Sequence, residues 1–186
     1  MLFENLKGYN RVQEYDDFLS ENEAIEFWHH VHSCTWAYGQ VSNSYAGQKQ
    51  MRMTHSINPE EFEKTSLFKR IQDEIEKPIF LKNVYINLGD FGTINLPHTD
   101  GFEGGISILI NLNEEWSRDW AGHTVFFAGS SSNKNKIVLA SCPEPRKAVF
   151  FHSSICHHAT PIASFAKYNR FMLVIKIYHE NKEDDL

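Results

Sequence analysis

Leu96-Pro97-His98-Thr99-Asp100-Gly101 is the stretch around which the 186-residue chain is organised. In extended backbone the side chains alternate across the strand, so His98 and Asp100 share a face and Thr99 points away. One distant imidazole added to that pair gives two histidines and a carboxylate. Such a set holds a non-haem Fe(II) on one side and leaves coordination positions open on the other. A His-x-Asp triplet alone is a weak signal, since about 0.4 are expected by chance in a chain of this composition. The third ligand must come from a later strand that packs opposite. The residues alone leave His123, His152, His157, His158 and His179 as candidates. His152 closes a strand, His157 stands four before Pro161, and His158 points away from its neighbour if the segment is extended.

Working outward, the chain after residue 83 reads as strands. Val84, Ile86 and Leu88 alternate with Tyr85 and Asn87, and Gly89-Asp90-Phe91-Gly92 is a turn. Ile106–Leu112, His123–Ala128, Ile137–Leu139, Lys147–His152 and Arg170–Tyr178 follow, separated by turns and by a polar loop from Ser130 to Lys136. Before them lie two helix starts. Ser20-Glu21-Asn22-Glu23 has the form of a capping box, with Ala24, Phe27, Trp28 and Val31 behind it at helical spacing. Asn58-Pro59-Glu60-Glu61 starts a second helix with Leu67, Phe68, Ile71 and Ile75 as its apolar stripe and Pro78 as its stop. His29 and His32 on the first helix are three apart and read as a polar face. Short strands over Trp36–Gln40 and Arg52–Ile57 flank a polar loop from Ser42 to Gln50. Helices followed by a run of strands predict a mainly β fold, an antiparallel sandwich or barrel flanked by helices. There is no Gly-rich strand-to-helix fingerprint for a dinucleotide and no phosphate loop.

Composition narrows the function. The length suits one domain, and no apolar run reaches membrane-spanning length. Met1–Arg11 lacks the basic and apolar regions of a secretory signal. Three cysteines without a disulfide or metal spacing suit a reducing, cytoplasmic setting. A formal net charge of -6 argues against a nucleic-acid partner.

Several blocks, in order, resemble the iron- and 2-oxoglutarate-dependent dioxygenases of the prolyl-4-hydroxylase-like branch. They are His98-Thr99-Asp100, Leu112-Asn113-Glu114-Glu115-Trp116, Gly122-His123-Thr124-Val125-Phe126, Ala148-Val149-Phe150-Phe151-His152, His157–Ile162 and Arg170. The resemblance implies a double-stranded β-helix (a cupin-like jelly roll) over about residues 83–178, beneath a helical cover over about 1–80, in a single domain of 1–186. It implies His98, Asp100 and His157 as Fe(II) ligands and Arg170 as the partner of the distal 2-oxoglutarate carboxylate. An Arg fork suits a carboxylate because it offers two parallel donors. Asn111 stands where some relatives carry a Tyr for that carboxylate, and with Tyr85 it is a further candidate for binding 2-oxoglutarate. His123 stands where the family has Glu, and is read as structural or supporting the ligands.

The implied reaction consumes O2, converts 2-oxoglutarate to succinate and hydroxylates a C–H bond. Asp100 favours hydroxylation, because a halogenase of the superfamily leaves that position open. The substrate is expected to be a prolyl residue, an amino acid or another small metabolite. Tyr85, Asn87, Phe91, Trp116 and Trp120 either line the mouth of the pocket or pack as core, and the loops at Ser42–Gln50 and Gly89–Gly92 are candidate lids. Two other readings compete: a non-catalytic cupin-like module that binds a metal or small ligand, and a metal-free β-sandwich with structural histidines.

Overall fold

The computed structural model describes residues 12–40, 52–75, 78–93, 95–101, 105–128 and 136–179. The expected lid at 42–50, the polar loop at 130–135 and the tail at 180–186 lie outside them.

Helix α1 (Glu21–Ser33) begins where its capping box directs. The Glu23 N–H donates to Ser20 Oγ at 3.3 Å, and the Ser20 N–H donates to Glu23 Oε2 at 3.0 Å. The second helical stretch is not continuous. A short α2 (Pro59–Phe62) is capped by Asn58, and α3 (Ser66–Ile75) starts afresh. Thr65 makes the break: its hydroxyl donates back to Phe62 O at 2.6 Å and accepts from the Phe68 N–H at 3.1 Å. A hydroxyl that offers the backbone a local alternative ends one helix and caps the next. The stripe of Leu67, Phe68, Ile71 and Ile75 is buried, as its spacing predicts.

Ten strands are described: β1 (Val12–Tyr15), β2 (Ala37–Gln40), β3 (Arg52–Ser56), β4 (Ile79–Gly89), β5 (Gly105–Asn111), β6 (Thr124–Phe127), β7 (Ile137–Ser141), β8 (Ala148–His152), β9 (His157–Ala159) and β10 (Arg170–His179). They form a seven-stranded sheet in the order β1-β8-β5-β10-β4-β3-β2 and a three-stranded sheet in the order β7-β6-β9. Among the described residues, all these strand pairs are antiparallel. The architecture is a double-stranded β-helix with helices on one side of its larger sheet, the mainly β jelly roll that the sequence predicts.

Alternation along the strands divides the larger sheet into two unlike faces. Val84, Ile86, Ile106, Ile108, Ile110, Leu173 and Ile175 face outward and join Val31, Leu67, Phe68 and Ile71 of the helices in one core. Leu109, Val149, Phe151, Met172 and Val174 face inward and pack with Phe126 of the smaller sheet. The inner face also carries Tyr85, Asn87 and Arg170, and it builds the site.

Candidate active site

The two histidines meet through the backbone. His98 and His157 form an isolated antiparallel bridge in which each N–H donates to the other's carbonyl, at 3.0 and 2.8 Å. Directly paired residues project to one side, so the imidazoles lie together with ring centroids 4.6 Å apart. The Asp100 N–H, one alternation further on, donates to Ser153 O at 2.9 Å. One ligand atom each from His98, Asp100 and His157 therefore falls within 4.8 Å of the others.

The rings are held in a common tautomer. His98 Nδ1 lies 2.9 Å from Leu96 O, and His157 Nδ1 lies 3.0 Å from Ile155 O. A carbonyl only accepts, so each Nδ1 carries the hydrogen and each neutral ring keeps its lone pair on Nε2. Burial pushes the His157 pKa down to about 4 against the opposing pull of Asp100, so this ring is neutral near pH 7. His157 packs against Phe126 and the edge of Phe151.

Asp100 is the charged member. Burial raises its pKa, but His157, Lys176 and two hydrogen bonds outweigh that and hold it below the usual carboxylate value. Lys176 Nζ sits 2.7 Å from Oδ1, and Ser107 Oγ donates to Oδ2. In Lys176, burial pulls the ammonium pKa down, while Tyr85 and Asp100 outweigh it and raise it.

These residues open into a cleft whose empty volume is about 620 Å³, counted to its solvent mouth. Tyr85, Asn87, Asn95 and Arg170 also line it. Arg170 is buried, and its Nη2 donates to the hydroxyl of Thr124 at 2.7 Å. The chain passes closely behind it. Gly122 has φ +73°, and a Cβ there would stand 3.0 Å from Trp116 Cζ2 and 3.5 Å from Arg170 Cδ. Asn87 Oδ1 is buried on the cleft wall with no hydrogen-bond partner.

The other expected residues are distributed as strand alternation requires. His158 turns away from His157, approaches Asn95 O at 3.2 Å and stacks on Phe127. His152 pairs with Ile106, whose side chain is in the outer core, and its Nδ1 contacts Ser154 Oγ at 2.7 Å. His123 contributes its carbonyl to the Thr160 N–H. His179 lies at the far end of β10, opposite Ile79. Asn111 donates from Nδ2 to Pro143 O at 2.7 Å and lines a smaller hollow that it shares with Arg170, Thr124 and Met172. Phe91 is 68% exposed, and Trp116 and Trp120 pack edge to face; none of the three lines the cleft.

Lys176, Ser107 and Thr124 received no role from the sequence. A signal was present for two of them. Lys176 and Ser107 interrupt apolar runs in fully packed strands, and a polar group there needs a partner.

No known family's profile matches the sequence, and no curated protein matches it. Among solved structures, the chain is similar to a prolyl hydroxylase from Trichoplax adhaerens in complex with a peptide fragment of the hypoxia-inducible factor oxygen degradation domain. The TM-score is 0.68 at 15% identity, covering 96% of this chain and 88% of that one. A prolyl-4-hydroxylase from Pseudomonas putida gives 0.61 at 16% identity, over 95% and 96% of the two chains. An oxidoreductase of the 2OG-Fe(II) oxygenase family from Burkholderia pseudomallei gives 0.66 at 10% identity, over 91% and 86%. The fold is thus the one those oxygenases share.

Proposed function

We propose that the chain is an Fe(II)- and 2-oxoglutarate-dependent oxygenase that hydroxylates a C–H bond. One observation carries the reading: two imidazoles with lone pairs on Nε2 and one ionised carboxylate converge at a cleft that also contains a buried arginine. Two nitrogens and one carboxylate oxygen, gathered on one side, match the donor set that non-haem iron takes. The buried Arg170 fits an anionic co-substrate entering the same cleft.

Under this reading His98, Asp100 and His157 hold the metal and Arg170 takes the distal carboxylate of 2-oxoglutarate. When bound, the iron with 2-oxoglutarate and O2 supplies the oxidising power for hydroxylation. The protein's own residues orient and exclude. The carbonyls of Leu96 and Ile155 fix the two rings. Ser107 and Lys176 fix the carboxylate. Thr124 steers the guanidinium, and Leu109, Met172 and Val174 keep water from the floor. The substrate class is a small molecule or a peptide segment able to enter an open cleft.

Anaerobic titration of chelator-treated protein with Fe(II) and then 2-oxoglutarate tests this. The visible charge-transfer band of a chelated 2-oxo acid is expected, lost in His157→Ala and kept in His158→Ala. A folded protein that gives no band returns the chain to the non-catalytic binding module.

A further inference from the structure

His30 occupies the last turn of α1, Cys34 is the residue that caps it, and His55 lies on β3 opposite Ile86 of β4. One ring nitrogen from each histidine and the sulfur of Cys34 lie within 4.8 Å of one another. The helix sets two of the three: His30 and Cys34 are four apart, and the Cys34 N–H donates to His30 O at 2.9 Å. The third is oriented from behind. His55 Nδ1 lies 2.9 Å from Thr35 O, so it carries the hydrogen and leaves the lone pair on Nε2. This is the arrangement by which a backbone carbonyl fixes a metal-ligating histidine. The two rings stand edge to face with centroids 4.8 Å apart.

We propose that His30, Cys34 and His55 form a second metal site, for Zn(II) or another thiophilic first-row cation. Two imidazoles and a thiolate are a borderline-soft set, and three protein ligands leave the fourth tetrahedral position to water. A cation binds Cys34 as the thiolate, with loss of the thiol proton to solvent.

The site is separate from the His98 cluster. His55 pairs with Ile86, which lies in the outer core, whereas the next residue, Asn87, paired with Thr54, lines the cleft. The two clusters thus occupy opposite faces of the larger sheet. They also differ in softness: the cleft offers a carboxylate and the outer site a thiolate. A cation on the outer site joins the end of α1 to β3 and stabilises that edge of the sheet by closing the loop between them.

Co(II) titration of the chelator-treated full chain reads the thiolate directly, through its sulfur-to-metal charge-transfer band in the near ultraviolet. The band is expected in the wild type and in His98→Ala, and its loss is expected in Cys34→Ser and in His55→Gln. Zn(II) should also raise the thermal midpoint of His98→Ala, and this shift should vanish when Cys34→Ser is added. Absence of the band in the wild type, or its survival in Cys34→Ser through Cys142 or Cys156, overturns the proposal. If Cys34→Ser does not fold, as judged by far-ultraviolet circular dichroism, His55→Gln gives the same decision.

Discussion

Replacing Lys176 with Met tests whether Asp100 is held ready for a cation. The ammonium lies 2.7 Å from Oδ1, and the two side chains are 17% and 7% exposed. Met keeps much of the aliphatic stem and removes the charge. Removing one partner of a buried ion pair costs about 3–5 kcal/mol, because the other charge is left uncompensated. Ser107 still donates to the second oxygen and Lys176 retains some solvent contact, which puts the cost at the lower end, about 3 kcal/mol. At about 2–4 °C per kcal/mol for a chain of this size, the midpoint of the chelator-treated protein should fall by about 6–12 °C. A divalent cation on His98, Asp100 and His157 replaces the lost positive charge, so most of that loss should disappear when Mn(II) saturates the site. By linkage the same substitution tightens Mn(II) binding, with a ceiling of about 100-fold if the whole 3 kcal/mol is coupled. Scanning calorimetry with and without Mn(II), together with isothermal titration, measures both sides of the cycle. Equal destabilisation in both forms with unchanged Mn(II) affinity would refute the reasoning, since Lys176 would then serve strand packing alone.

Arg170→Met should weaken 2-oxoglutarate binding by about 10–100-fold, the loss of a charge-assisted interaction of about 1.5–3 kcal/mol. Fe(II) affinity should be unchanged, and equal loss of both ligands in the anaerobic titration would make Arg170 structural. Glu23 gives a pH-dependent stability effect away from the cleft. Burial raises its carboxyl pKa, but Arg70 Nη2 at 2.5 Å, the Ser20 N–H and Ser66 Oγ lower it from the usual 4.5 to about 2. A depressed carboxyl pKa stabilises the fold above the unfolded value and loses that contribution as pH falls from about 4.5 to 2. Discounted for the 37% exposure of Arg70, Glu23→Gln should cost about 2 kcal/mol at pH 7, falling to about 0.4 kcal/mol or less at pH 2. Urea unfolding at the two pH values decides it, and an equal cost at both would mean that the contribution is not electrostatic.

The sheet was legible wherever a strand was long enough to show its period. Residues 84–88 alternate cleanly, and the runs at 106–112 and 170–178 could only be packed strands. What escaped was either short or held by distant partners. β9 has three residues, too few to display alternation, and its bridge joins His157 to a segment that is not otherwise a regular strand. The break in the second helical stretch was missed because its apolar stripe continues past Thr65, whose hydroxyl decides the matter through two local hydrogen bonds. In the cleft, the convergence of His98 with Asp100 follows from alternation alone, while the choice of His157 over His158 required the resemblance. Strand pairing supplies the physical reason afterwards: His157 stands opposite Phe126 on the inward side, and His158 opposite Val125. Lys176 meets Asp100 across 76 residues of sequence, a pairing that no local pattern encodes.

The division of the larger sheet explains why so polar a cleft is compatible with a stable chain. Ile86, Ile106, Ile108, Ile110, Leu173 and Ile175 are at most 1% exposed and lie on the side covered by the helices. Each such side chain contributes about 1.5–3 kcal/mol by burial. That core leaves the alternate positions of the same strands free to carry Asn87, Ser107, Arg170 and Lys176. A substitution on the outer face should therefore act first on folding, by opening a cavity. On the inner face the cost to stability also depends on the charge left behind. Truncating Leu109 or Met172 there still opens a cavity, whereas removing one member of the Lys176–Asp100 pair also strands its partner's charge. The stability cost at Lys176 is thus tied to the vacancy of its neighbour's charge, and a cation that answers that charge should remove the cost without restoring the lysine.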